Sequence, residues 1–191
     1  MSVEFISIGP YCVTKCNLKK TNNALMSYPF DSIFSSLQIF LHCMEDKFET
    51  FLNKDFIVGL NERQSSHKIY DNQLPKLIYY SNPPIVFNHN NLLIDREYEK
   101  YQRRCERFLD AINDKSRLIY LVYTIKNNEV NVEYNLNDLV YTANQLPHCN
   151  FVVIYVTDNI GTIHINNLRI YKILDDDEIT LNNIFDSLKN I

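Results

Sequence analysis

The chain has 191 residues, 46% hydrophobic, 13% aromatic and 22% charged, which suits a globular domain with its own core and excludes a disordered tail or a mini-protein. Only 3 Gly and no Trp stand against 24 Asn and 21 Ile; Gly9, Gly59 and Gly161 are too far apart to build a dinucleotide, Walker A or EF-hand loop, and the Asn/Ile excess fits a low-GC genome, such as that of a large DNA virus or a low-GC bacterium. Lys and Arg number 19 against 23 Asp and Glu, a net charge of −4, so no global positive field draws in nucleic acid or anionic lipid.

In chain order, a first strand is expected at residues 5–8, stopped by Gly9 and Pro10. Proline suits a first helical turn, where its missing N–H has no partner to lose, and this puts Cys12 in that turn. Residues 33–44 carry a helical stripe (Ile33, Leu37, Phe40, Leu41, Met44) entered through Pro29-Phe30-Asp31-Ser32, with Asp31 or Ser32 as cap. Residues 59–84 are polar and lack a sustained period, which predicts loops with at most short elements and a place for a lid or binding loop. The apolar run 85–87 reads as a strand that displays His89 at its end. Residues 98–112 form the clearest amphipathic helix, with Tyr101, Cys105, Phe108 and Ile112 on one face and Glu99 placed to pair with Arg103.

Further strands are expected at 118–124, 151–157 and 168–174, with helices at 136–146 and at 181–188 behind a Thr180 cap. The alternation predicts an α/β fold, a layered domain with a largely parallel central sheet flanked by helices, in which residues 5–8 lie near the middle of the sheet. We read residues 1–191 as a single domain, in which a motif-bearing stretch over residues 1–115 precedes a strand/helix alternating stretch over residues 116–191. The opening residues lack the basic and apolar regions of a signal peptide, and no apolar run approaches a membrane span. Five cysteines at 12, 16, 43, 105 and 149 make an odd count without disulfide spacing, which predicts reduced thiols in the cytoplasm, the host cytoplasm if the source is viral. The C-x3-C pair Cys12/Cys16 has no second pair, so no metal site is expected, and no cofactor either.

Chemistry concentrates at a few residues. A thiol in the first turn of a helix faces free amides that favour the thiolate, and the carboxyl end of a sheet strand is where α/β sites form; Cys12 is therefore the nucleophile candidate, against the plainer reading of a small buried hydrophobe. The other four cysteines read as apolar-face or strand-edge residues. A thiolate nucleophile needs a base, and His89 is the candidate by position. His42 and His148 read as surface or capping residues, and His67 and His164 lie in polar connections. Asp31, Asn90 and Asp95 are available to orient the imidazole. Arg103, Arg104 and Arg107 form the one basic cluster, suited to phosphate or carboxylate, although interleaved glutamates also fit a solvated face.

Four segments carry a resemblance: Ser7-Ile8-Gly9-Pro10-Tyr11-Cys12 with Leu18-Lys19-Lys20, then Tyr28-Pro29-Phe30-Asp31, Phe87-Asn88-His89-Asn90, and Tyr101 to Phe108. In order and approximate spacing they resemble a family of bacterial and large-virus proteins described as papain-like cysteine peptidases, a domain of unknown function. The resemblance covers residues 5 to about 110 and implies a Cys12, His89 and Asp31 arrangement. It also implies an alternative fold, papain-like α+β, which the strand/helix alternation does not favour. The chain departs from the family pattern at Ser32, where that pattern has Trp, and at Asn90, where it favours Asp.

These readings lead to an expected cysteine-dependent hydrolase or acyl transferase acting on an unidentified acyl or peptide substrate, with Gly9, Tyr11, Asn90, Arg103 and Arg104 lining the substrate site. The alternative is a non-catalytic α/β binding domain for an anionic ligand or protein partner, linked to glycan processing by association with the family's neighbours. Neither reading calls for a membrane or nucleic-acid partner.

Overall fold

The computed structural model describes residues 2–74, 84–126 and 135–190. Five strands form the main sheet: β1 (Ser2–Ser7), β4 (Arg117–Lys126), β5 (Asn150–Val156), β7 (Leu168–Ile173) and β6 (Gly161–Ile165), in that spatial order. The first four are mutually parallel and β6 runs antiparallel to β7. The fold is therefore α/β with a mostly parallel sheet, as the alternation predicts. The strand β1 takes the edge of the sheet rather than its middle, because β4 pairs it on one side only. The hairpin strand β6 is an addition to the predicted elements; its residues are only partly covered and lack the continuous apolar run that marks β4 and β5.

Side-chain alternation along the strands sorts the core into two layers. Ile6, Ile119, Leu121, Tyr123, Val153 and Ile170 face one side, covered by α2 (Leu37–Glu45), α3 (Glu49–Leu52), α4 (Asp95–Asn113) and α5 (Leu136–Gln145). Phe5, Tyr120, Val122, Val152 and Ile154 face the other, covered by α1 (Cys12–Lys20) and α6 (Glu178–Lys189). A parallel strand buried on both faces needs apolar residues at nearly every position, which is the pattern of β4 and β5.

Several local expectations shift. Helix α2 begins at Leu37, capped by the Ser36 hydroxyl accepting from Ile39 N–H at 3.1 Å, while Pro29–Ser32 forms a separate 3-10 turn. Asp31 serves that turn by accepting from Tyr28 N–H at 2.9 Å and does not cap α2. In α6 the cap is Asp177, which accepts from Thr180 N–H at 2.9 Å. The polar segment predicted as loops holds a hairpin, β2 (Ile57–Asn61) and β3 (Gln64–His67); residues 75–83 of it lie outside the described residues. Phe87 makes a single bridge to Ser65 rather than a strand. The Glu99–Arg103 pair forms at 3.9 Å. Among the described residues no helix is long and apolar enough to cross a membrane.

Candidate active site

The turn from β1 into α1 is fixed by several backbone contacts. Gly9 has φ +115°, and a Cβ there would overlap the Ser35 hydroxyl, so only glycine fits. The Thr14 hydroxyl donates to the Gly9 carbonyl at 2.5 Å and accepts from Thr124 N–H at 3.0 Å, tying α1 to β4. Ser35 N–H donates to the Pro10 carbonyl at 2.7 Å, which ties the approach to α2 onto the same turn. Pro10 precedes the helix, and Tyr11 is its N-cap residue with extended backbone. Cys12 is thereby the first helical residue, at the carboxyl end of β1, and it is exposed.

Cys16 is exposed as well, which corrects its expected apolar setting. Cys43, Cys105 and Cys149 are buried. Burial pushes the Cys149 thiol up to about 11 and raises those of Cys43 and Cys105 further, so these three stay protonated at neutral pH.

Asp31 is 2% exposed. Its Oδ2 takes the Lys15 ammonium at 2.8 Å together with Tyr28 N–H, while its buried Oδ1 has no hydrogen-bond partner. Burial raises its pKa above the ordinary carboxylate value, outweighing the opposing pull of Lys15. Asp31 thus holds Lys15, one turn after Cys12 on α1, and makes no hydrogen bond to His89. The cause is positional: the 3-10 turn tucks the carboxylate under α1, where a lysine on the buried face meets it.

His89 is exposed and lines an open polar depression with Asn61, Arg63, Gln64 and Asn88. A run of side-chain amides leads to it. Asn61 Nδ2 donates to Gln64 Oε1 at 2.8 Å, Gln64 Nε2 donates to Asn88 Oδ1 at 2.9 Å, and Asn88 Nδ2 lies 3.5 Å from His89 Nε2. Asn88 is the residue that sequence reasoning missed as a neighbour of this imidazole. Only its adjacency in Phe87-Asn88-His89 signalled it.

Asn90 turns inward instead. It accepts from the Tyr101 hydroxyl at 3.2 Å and donates to Glu97, which fastens the loop to α4. Asp95 is exposed and pairs with Lys54 at 2.8 Å, so neither residue orients His89. His67, read as lying in a polar connection, is fully buried in β3, stacks on Tyr70 with ring centroids 4.2 Å apart, and makes a 3.0 Å Nε2 contact with the Thr50 carbonyl.

The arginine cluster divides. Arg103 is solvated beside Glu99, and Arg107 donates to the Ser27 carbonyl at 2.6 Å. Arg104 lies over the Tyr101 ring at 5.1 Å, with a buried Nη1 that has no hydrogen-bond partner. No group of His, Cys, Asp and Glu among the described residues has the arrangement of a metal centre.

Neither the curated proteins nor the solved structures provide a match. A family profile does match, over residues 3–161, from β1 to the first residue of β6. With that range taking in the Gly9–Cys12 turn, Asp31, His89 and the arginines of α4, the chain belongs to the family described as "Putative papain-like cysteine peptidase", a domain of unknown function.

Proposed function

We propose that the chain is a cysteine-dependent hydrolase or acyl transferase with Cys12 as its nucleophile. The observation that carries this reading is the exposed Cys12 opening α1 at the carboxyl end of β1, on a turn held by Gly9, Thr14 and Ser35. The Cys12 sulfur adds to the carbonyl carbon of an acyl, ester or isopeptide group, and first-turn amides of α1 receive the oxyanion. His89 takes the thiol proton and returns it to the departing amine or alcohol as the carbon–nitrogen or carbon–oxygen bond breaks. Water, or an acceptor amine or alcohol, then cleaves the thioester and regenerates the thiol. Asp31 enters this scheme through Lys15, whose ammonium it holds on the Cys12 helix.

Alkylation with iodoacetamide at neutral pH, read by peptide mapping, tests the reading. Cys12 and Cys16 are both exposed on one helix, so accessibility alone predicts comparable rates and an activated nucleophile predicts Cys12 well ahead. Equal rates, or a faster Cys16, overturn it. A His89→Ala variant with an unchanged Cys12 rate removes His89 from the scheme.

A second reading, a non-catalytic domain for an anionic ligand, is favoured by Arg104, whose buried Nη1 has no hydrogen-bond partner. It requires Cys12→Ser and His89→Ala to leave function intact while Arg104→Ala abolishes it.

A further inference from the structure

Helix α2 packs against α5 on the face of the sheet that carries the larger core. A cavity of about 260 Å³ opens at this seam, and one of about 340 Å³ lies beside it between α2 and Gln73; the two share Gln38 and Leu41 and together make a groove along α2. Among the described residues its lining carboxylates are Glu45 at one end and Asp138 at the other, and no lysine or arginine lines it. Among the described residues neither carboxylate has a cationic partner, and both residues are exposed.

The Gln73 amide at the Glu45 end has the same polarity. Gln73 spends its Nε2 on the Ile69 carbonyl at 3.1 Å, which leaves its buried Oε1 without a partner. His42 Nδ1 is likewise buried and without a hydrogen-bond partner. An exposed carboxylate at each end of the groove suits a ligand rich in N–H donors. At the other end Tyr141, 56% exposed, stands beside Asp138, a pairing of ring and carboxylate that suits an ammonium or guanidinium. Leu41 between the ends offers a surface on which methylene stems can lie.

We propose that this groove binds a peptide segment bearing lysine or arginine side chains, one cation at the Glu45 end and one at the Asp138 end. Its place in the fold gives the site a direction. The N-terminus of α2 follows Ser35, whose N–H holds the Pro10 carbonyl, so a chain in the groove approaches the Cys12 turn from the α2 side. The binding claim stands apart from the nucleophile reading and does not require Cys12 to react.

Fluorescence anisotropy of a fluorescein-labelled peptide alternating lysine and glycine, measured with Cys12→Ser protein, tests it without interference from thiol chemistry. Binding that weakens as salt is raised is expected, together with about five- to tenfold weaker binding by the Glu45→Gln/Asp138→Asn double variant. Tyr141→Ala should weaken it further. Equal binding of the same peptide with every lysine acetylated overturns the proposal, as does unchanged affinity in a double variant that keeps its melting temperature. Binding of spermine without binding of the peptide overturns it too, by assigning the groove to a free polyamine.

Discussion

The β1–α1 corner and the His89 loop are built in opposite ways. At the corner, the backbone itself is fixed: Gly9 has no room for a side chain, and Thr14 and Ser35 tie the turn to β4 and to the approach to α2. Around His89 the backbone is held by the residues on either side, through the Phe87–Ser65 bridge and the inward Asn90 amide, while the imidazole stands on the surface against a run of amides. The difference teaches where each region can tolerate change. The corner depends on buried fit, so substitutions there act through folding; the loop depends on exposed polar contacts, so substitutions there act on His89 with little cost to stability.

The largest expected effect is at the corner. Gly9→Ala places a Cβ against the Ser35 hydroxyl in a left-handed backbone and should cost about 3 kcal/mol or more in urea unfolding. An effect under about 1 kcal/mol would show that the corner yields, and would erase the contrast. Next, Lys15→Met leaves the Asp31 carboxylate buried without its counter-ion and should cost about 3 kcal/mol at neutral pH.

That second loss carries a pH sign. The folded-state pKa of Asp31 is already raised above its ordinary 3.8, and removing Lys15 raises it further. A raised carboxyl favours the folded state at acid pH, with the benefit present below the unfolded pKa and lost as pH rises through the folded one. The Lys15→Met protein should therefore regain stability as pH is lowered from neutral toward about 4. Failure to do so would mean that Asp31 is not the source of the loss.

The hairpin beneath the His89 loop should respond with the opposite sign. Burial lowers the His67 pKa below its ordinary 6.5, so its contribution is present above that value and lost as pH falls through the folded-state pKa. In His67→Gln the slope of stability below pH 6.5 should flatten, as measured by thermal unfolding across pH. The smallest effect belongs to Asn88→Ala, expected to change stability by less than about 0.5 kcal/mol while moving the His89 ring resonances followed by NMR. A large destabilisation by Asn88→Ala would make the loop as interdependent as the corner.

The parallel sheet was legible because burial on both faces leaves an unmistakable composition in β4 and β5. The edge position of β1 was not, since an edge parallel strand covered by helices reads much like a central one. Cys12 could be placed in the first turn of α1 because the Gly9 corner is local backbone chemistry, although Pro10 stands before the Tyr11 N-cap rather than in the turn as expected. The partner of Asp31 could not be placed, because Lys15 and Asp31 meet through the packing of a helix on a distant 3-10 turn, which no local period records. Asn90 misled for a related reason. Loop asparagines next to a histidine look available to it, and only the position of Tyr101 on α4 draws this one inward.

The order of the strands also bears on what can be cut from this protein. The family match stops at Gly161, yet β7, which lies beyond it, is the strand that pairs with β5, and α6 covers Phe5, Tyr120 and Val152 from the side opposite α2. A fragment trimmed to the matched range would lay bare one edge of β5 and most of an apolar face, with α1 alone to cover it. Shared sequence and folding unit have different limits here: the residues after Gly161 hold the floor on which the Cys12 helix rests.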